Sequence, residues 1–316
     1  MTRATQRRRP VSEARRAFQP PSRTRIEDLV GDTPVMELPR FSGTGHSVHV
    51  KSEELNPTGS VRDRYLAEVF AGVGSRDDFE RITTVVARGL DDWSVSVAFW
   101  ATRVGVDCRI VAPEGGSRRL APLVERYGAE IEWVDGRGAD GWRTASERAA
   151  RWADQADARL DVAAHRSDVE QAPDELAREL ISDASGADAR SIVLPASLEG
   201  TFRGVGRRMA EASGEVEIVY AAVGRAGDAL EESPDEGRVE SLPSERVWEV
   251  RDRVARTDGL LLGPRGAAVA AVGRRLTERA GDGEEVLGLN PDAGQRYLGW
   301  EDELDRAVDS RRLQIH

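Results

Sequence analysis

Residues 50–64 read VKSEELNPTGSVRDR. This stretch continues an alternating segment, SVHVKS at 47–52, which predicts a strand. NPTG at 56–59 is turn chemistry. Ser60, followed three residues later by Asp63, resembles a capping box and predicts that a helix begins there. The stretch therefore predicts a strand, a tight turn and a helix in succession.

The segments that follow alternate between strand and helix, as in a parallel sheet with helical crossovers. Apolar runs predict strands, and apolar residues at helical spacing predict helices. The predicted strands lie at 82–87, 108–112, 129–134, 191–195, 216–222, 259–262 and 285–289. The predicted helices lie at 93–104, 118–127, 201–211 and 266–279, with a helix-rich region at 137–190 and an acidic surface loop at 224–245. This order is typical of an α/β protein.

Composition excludes several classes of protein. With 316 residues, 39% of them hydrophobic, we expect one large or two medium globular domains. No run of 18 apolar residues occurs, so no membrane-spanning helix is expected. The single cysteine, Cys108, excludes an internal disulfide, and its apolar surroundings predict an inert core residue. A net charge of −11 argues against nucleic-acid binding by the body of the protein.

The amino-terminal residues 1–24 form a basic tail. Residues 1–25 hold eight arginines and one glutamate, so this segment carries +7 and the remainder carries −18. We expect a disordered, solvated tail. Because it lacks the apolar segment of a secretory signal, we expect a cytoplasmic protein.

Six segments, in order along the chain, resemble the cysteine synthase family. This family belongs to the fold type II, tryptophan synthase beta-like enzymes of amino-acid metabolism, which use pyridoxal phosphate. The segments are GDTPVMEL at 31–38, VKSEELNPTGSVRDR at 50–64, VAPEGGSRRLAPLVERYGAEI at 111–131, EGTFRGVGRRM at 199–209, GLLLGPRGAAVAAV at 259–272 and LNPDAGQRYL at 289–298.

The resemblance implies two three-layer α/β/α domains with a central cleft. The smaller domain is expected at 45–150, and the larger one at 25–44 plus 151–316. The resemblance also implies a homodimer, whose cleft could take a protein partner or a small anionic ligand.

Arg62 occupies the position at which the family carries the lysine that forms a Schiff base with the cofactor. That bond requires a neutral amine, whereas arginine stays protonated. We expect Arg62 to be a first-turn helix residue or an ion-pair member, with binding of an anionic ligand as the alternative. Lys51 is the only lysine in the chain.

The family's loop for the substrate carboxylate corresponds here to Gly89, Asp91, Asp92 and Trp93. Two acids and a large ring replace small hydroxyl and amide donors. We expect the acids to favour a helix N-terminus through the helix dipole. The alternative is a pair of carboxylates that act as acid and base.

Two further family elements are altered. The phosphate loop, which binds through backbone N–H groups, corresponds to Ser197, Leu198, Glu199, Gly200 and Thr201. Arg265 stands near the position of a serine that contacts the pyridine nitrogen. The turn that holds Asp292, Gly294, Arg296 and Tyr297 is expected to support the fold and to say little about catalysis.

No metal site is expected, because His46 and His49 lack partners at metal-ligand spacing. With four elements altered together, the sequence favours a catalytically inactive cysteine synthase-like protein that needs no cofactor and binds a ligand or a partner. One alternative is a pyridoxal-phosphate enzyme that uses Lys51. Another is a cofactor-independent enzyme with a remodelled cleft.

Overall fold

Two β-sheets, each with helices on both faces, organise the chain in this computed structural model. The structure describes residues 25–72, 82–154, 159–161, 171–196, 201–212, 216–224, 235–280 and 283–299. The predicted α/β class is confirmed. No helix among these residues is long and apolar enough to cross a membrane.

The larger sheet has six strands in the order β1-β2-β10-β7-β8-β9. β1 pairs with β2 in an antiparallel sense, and the other neighbours are parallel. The strands are β1 Val35–Glu37, β2 Ser47–Ser52, β7 Ser191–Pro195, β8 Glu217–Val223, β9 Arg238–Leu242 and β10 Glu285–Asn290.

The smaller sheet has four parallel strands in the order β5-β4-β3-β6. They are β3 Thr84–Arg88, β4 Asp107–Pro113, β5 Glu130–Val134 and β6 Arg159–Asp161. The described helices are α1 Pro39–Ser42, α2 Arg62–Gly72, α3 Asp92–Val104, α4 Ala121–Arg126, α5 Gly138–Asp154, α6 Gln171–Gly186, α7 Thr201–Ala212, α8 Ser244–Asp258 and α9 Pro264–Ala280.

Alternation along the strands builds a core on each face of each sheet, because successive side chains point to opposite faces. In β7, Val193 packs with α8 and α9, while Ile192 and Leu194 pack with α6 and α7. In β3, Val85 packs with α2 and α3, while Val86 packs with α5. Near-continuous apolar strands such as 191–195 are therefore buried on both sides.

The sheets differ from the proposed domain boundaries at two places. β2 lies in the larger sheet, because it pairs with β10, although the sequence assigned 45–150 to the smaller domain. β6 lies beyond residue 150 but pairs with β3 of the smaller sheet. The division into two domains otherwise stays a prediction. Residues 1–24, the predicted basic tail, lie outside the described residues.

Three local predictions are wrong. The segment 224–245 contains an edge strand, β9, because Val239 and Leu242 pack into the cores although acids surround them. Residues 259–262 form no strand, since Gly259 ends α8 in the left-handed conformation. The helix after the NPTG turn begins at Arg62, whose N–H donates to Ser60 Oγ at 3.2 Å, but Asp63 accepts hydrogen bonds from Thr58 instead of completing the predicted capping box.

Candidate functional site

The carboxyl ends of strands from both sheets meet at one place, where ligands bind in open α/β sheets. β2 leads through the NPTG turn to α2, and β3 leads through a short loop to α3. An isolated bridge joins Ser60 to Asp292, which follows β10. Thr58 Oγ1 and Ser96 Oγ lie 2.7 Å apart and link the turn to α3. The residues at this junction form the candidate site.

Arg62 is buried in the first turn of α2. Its Nε lies 3.6 Å from Oδ2 of Asp92, and both side chains are 8% exposed. Its guanidinium lies over the ring of Trp93, 5.3 Å from the ring centroid. The guanidinium of Arg62 thus contacts two residues of the predicted carboxylate loop.

A second arginine–aspartate pair lies beside the first. Arg265, in the first turn of α9, places Nη1 3.4 Å from Oδ2 of Asp292. Tyr297 donates its hydroxyl to the same oxygen at 2.9 Å. Burial raises the pKa of Asp292, and the charge of Arg265 opposes this shift. Oδ1 of Asp292 is buried without a hydrogen-bond partner among the described residues.

The carboxylate loop begins with Gly89 and ends at the cap of α3. Asp91 accepts a hydrogen bond from Ser94 N at 3.0 Å, and its own N–H donates to Ser94 Oγ at 3.0 Å. This capping box accounts for an acid at position 91, as the helix-dipole interpretation proposed. Gly89 has φ +77°, and a side chain there would overlap the ring of Trp142.

Asp63 is a buried carboxylate between the turn and α3. It accepts hydrogen bonds from Thr58 N at 2.6 Å, Thr58 Oγ1 at 2.9 Å and Trp100 Nε1 at 3.0 Å. Burial raises its pKa to about 6, although these bonds and Arg296 lower it. Arg296 also donates to the carbonyl oxygens of Thr58 and Asp92. The turn of Asp292, Arg296 and Tyr297, which sequence reasoning assigned only to fold support, therefore lies in the site.

Lys51 is a residue of β2 and lies outside this cluster. Its side chain belongs to a buried ion-pair network. Its ammonium contacts Thr33 O at 2.9 Å, Glu179 Oε2 at 2.8 Å and Asp183 Oδ2 at 2.8 Å. Arg64 also contacts both oxygens of Glu179, at 2.7 and 2.8 Å. Burial alone would raise the pKa of Glu179, but the hydrogen bonds from Arg64 and Lys51 lower it to about 2.

The described residues do not fit a covalent bond between pyridoxal phosphate and this chain. The guanidinium of Arg62 is a poor nucleophile and stays protonated. An ammonium has three donors, and Lys51 uses all three within the network. Its side chain is 2% exposed. The alternative in which Lys51 forms the Schiff base therefore lacks an accessible amine.

The other predicted site residues divide into two groups. Ser197, Leu198, Glu199 and Gly200 lie outside the described residues, as does the side chain of Thr201. Cys108 is buried in the smaller sheet, and burial raises its pKa to about 12. No group of histidines, cysteines and acids among the described residues could hold a metal ion.

Sequence reasoning missed Trp142, which reaches the site from α5. The sequence signal for Trp142 was weak, because the helix-rich region 137–190 contains no motif that distinguishes one tryptophan from another.

Comparisons with known proteins agree with this fold. The family model described as "Pyridoxal-phosphate dependent enzyme" matches residues 26–243. O-ureido-L-serine synthase of Streptomyces lavendulae is 25% identical, over 86% of this chain and 90% of that protein. Cysteine synthase B of Pseudomonas aeruginosa is 26% identical, over 86% and 95%. The crystal structure of an O-acetyl serine sulfhydrylase from Entamoeba histolytica superposes with a TM-score of 0.75 at 19% identity, over 94% and 99% of the two chains.

These relatives contradict two expectations from the sequence. The altered residues had favoured a chain that is not an enzyme and that needs no cofactor. The relatives are named as synthases, and the matching family consists of enzymes that depend on pyridoxal phosphate. Four short altered loops had been taken as evidence against enzymatic activity, whereas the scaffold matches the family across 26–243. The chain belongs to the pyridoxal-phosphate-dependent enzyme family.

Proposed function

We propose that this chain is an enzyme that binds and converts a small L-amino acid at the junction where β2, β3 and β10 end. The relatives support the substrate class, because their names refer to cysteine, O-ureido-L-serine and N-(2-amino-2-carboxyethyl)-L-glutamate. These compounds are the products after which the synthases are named, and they are carried over here only as members of one chemical class, the amino acids.

The observation that carries the proposal is that two buried arginine–aspartate pairs lie side by side at the junction. Arg62–Asp92 and Arg265–Asp292 are separated by 3.6 and 3.4 Å. Elsewhere the chain builds tight buried pairs, such as Arg64–Glu53 at 2.8 Å. Buried charges are costly, and a buried carboxylate with a raised pKa beside charged partners, as at Asp292, marks a candidate functional site.

The charges suit the two ends of an amino acid. A carboxylate can accept hydrogen bonds from the guanidinium groups of Arg62 and Arg265. An ammonium can donate to Oδ1 of Asp292, which is buried and lacks a partner among the described residues. The residues thereby orient the substrate beside Tyr297.

The test combines binding and turnover. L-serine, L-cysteine and O-acetyl-L-serine are titrated by calorimetry with pyridoxal phosphate present, and their consumption is followed by mass spectrometry. We expect binding and consumption of at least one, and Arg62→Gln or Arg265→Gln should weaken binding about 10- to 100-fold, because hydrogen bonds to charged groups contribute about 1.5–3 kcal/mol. Arg143→Gln, an exposed change on α5, serves as the control. Absence of binding and consumption at millimolar concentrations would overturn the proposal.

The proposed assembly is a homodimer in the cytoplasm, on the family resemblance. Light scattering at micromolar concentration tests the dimer, and a monomeric mass would contradict it.

A further inference from the structure

Trp142 covers the loop that joins β3 to α3. It lies in the amino-terminal part of α5, and Gly89 is the first residue after β3. A methyl group added at Gly89 would overlap the six-membered ring of Trp142. The indole therefore occupies the space that a side chain at position 89 would take.

The sheet order explains how this ring reaches the site. α5 follows β5, and the order β5-β4-β3 places two strand spacings, about 10 Å, between β5 and β3. α5 crosses this distance, because it packs against Val111 of β4 and Val86 of β3, and its amino-terminal part thereby brings Trp142 to Gly89. It is only partly buried, unlike Trp93, whose side chain is in the core. Trp142 thus forms a wall at the edge of the candidate site.

This wall adjoins the groups proposed to hold the substrate. Asp92 lies three residues after Gly89 and pairs with Arg62. A carboxylate held at Arg62 is therefore next to the loop 89–92, and a substituent that extends along this loop meets the ring of Trp142. A ring seated on glycine backbone has no room to retreat towards the loop.

We propose that Trp142 determines substrate specificity by limiting the size of the amino-acid side chain that the site accepts. This inference rests on the proposed function, since it concerns the same site. The expected substrate class is amino acids with small side chains, and removal of the indole admits larger ones.

The test compares L-serine and L-phenylalanine by calorimetry, with pyridoxal phosphate at one fixed concentration. We expect the native chain to prefer L-serine, and Trp142→Ala to reduce this preference at least about tenfold, as hydrophobic pockets discriminate by factors of about 10 to 200. Trp142→Phe should give an intermediate ratio and serves if the alanine variant loses its native circular dichroism.

Trp152→Ala is the matched control on the same helix. Trp152 donates Nε1 to Glu132 at 2.6 Å, and its ring lies under Arg109, so its truncation should leave the preference unchanged. An unchanged ratio in the folded Trp142 variants, or an equal change in Trp152→Ala, would overturn the inference while leaving the proposed function intact. If the native chain binds none of L-serine, L-cysteine, O-acetyl-L-serine and L-phenylalanine, the proposed function falls and takes this inference with it.

Discussion

Replacing Lys51 by methionine tests whether this lysine stabilises the fold or reacts with a cofactor. Methionine keeps most of the aliphatic length but removes the ammonium and its three contacts, to Thr33, Glu179 and Asp183. Removing one partner from a buried ion pair costs about 3–5 kcal/mol. Glu179 retains two hydrogen bonds from Arg64, and the side chain of Asp183 is 30% exposed. We therefore expect the lower end, a loss of about 3 kcal/mol in the free energy of unfolding.

Urea unfolding followed by circular dichroism measures this loss. Arg143→Met is the control, because Arg143 pairs with Glu147 at 3.3 Å with both side chains more than half exposed, and such pairs contribute about 0.3–0.5 kcal/mol. A Lys51→Met variant that is as stable as Arg143→Met would refute the structural role of the network. Loss of a visible cofactor absorbance in a stable variant would instead support Lys51 as the reactive amine.

Three further predictions follow from the site. Reduction with borohydride after incubation with pyridoxal phosphate should leave no adduct on the peptide that contains Lys51, because its ammonium is engaged in three contacts. Mass spectrometry of the digest detects such an adduct. A stoichiometric adduct on this peptide would contradict the expectation. The pKa of Asp63 is raised from 3.8 to about 6 in the folded chain, so the folded state binds the proton more tightly than the unfolded state. The free energy of unfolding of the native chain, relative to that of Asp63→Asn, should therefore increase by up to about 3 kcal/mol as pH falls from 7 to 4. A difference in urea unfolding that does not change with pH would contradict a raised pKa at this carboxylate. Gly89→Ala should lower the free energy of unfolding by about 2–4 kcal/mol, because the residue has positive φ and its new methyl group would overlap Trp142. In a Trp142→Ala background the loss caused by the overlap should vanish. Equal losses in both backgrounds would show that the ring does not cover this residue.

The α/β class and most element positions follow from local patterns in the sequence. The strand at 191–195 and the helix near 93–104 were predicted closely, because a short continuous apolar run is typical of a buried strand and a longer apolar segment is typical of a buried helix. The ordered segments also carried the family resemblance. Arg62 and the single lysine were singled out from the sequence as the positions on which formation of a Schiff base depends, since the reactivity of a side chain follows from its type.

The contacts between charged side chains at the site depend on the tertiary fold and not on local sequence. The turn at 292–297 and the first turn of α9 are distant in sequence from Arg62, yet Asp292 and Arg265 lie beside it, because the parallel strands bring their carboxyl ends to one edge. Trp142 lies against Gly89 because α5 packs across β4 and β3, a contact that no local pattern encodes. Whether Lys51 is reactive also depended on its partners. Its ammonium is held by Glu179 and Asp183, more than 100 residues away, and pairing between such distant residues is fixed by packing rather than by local sequence.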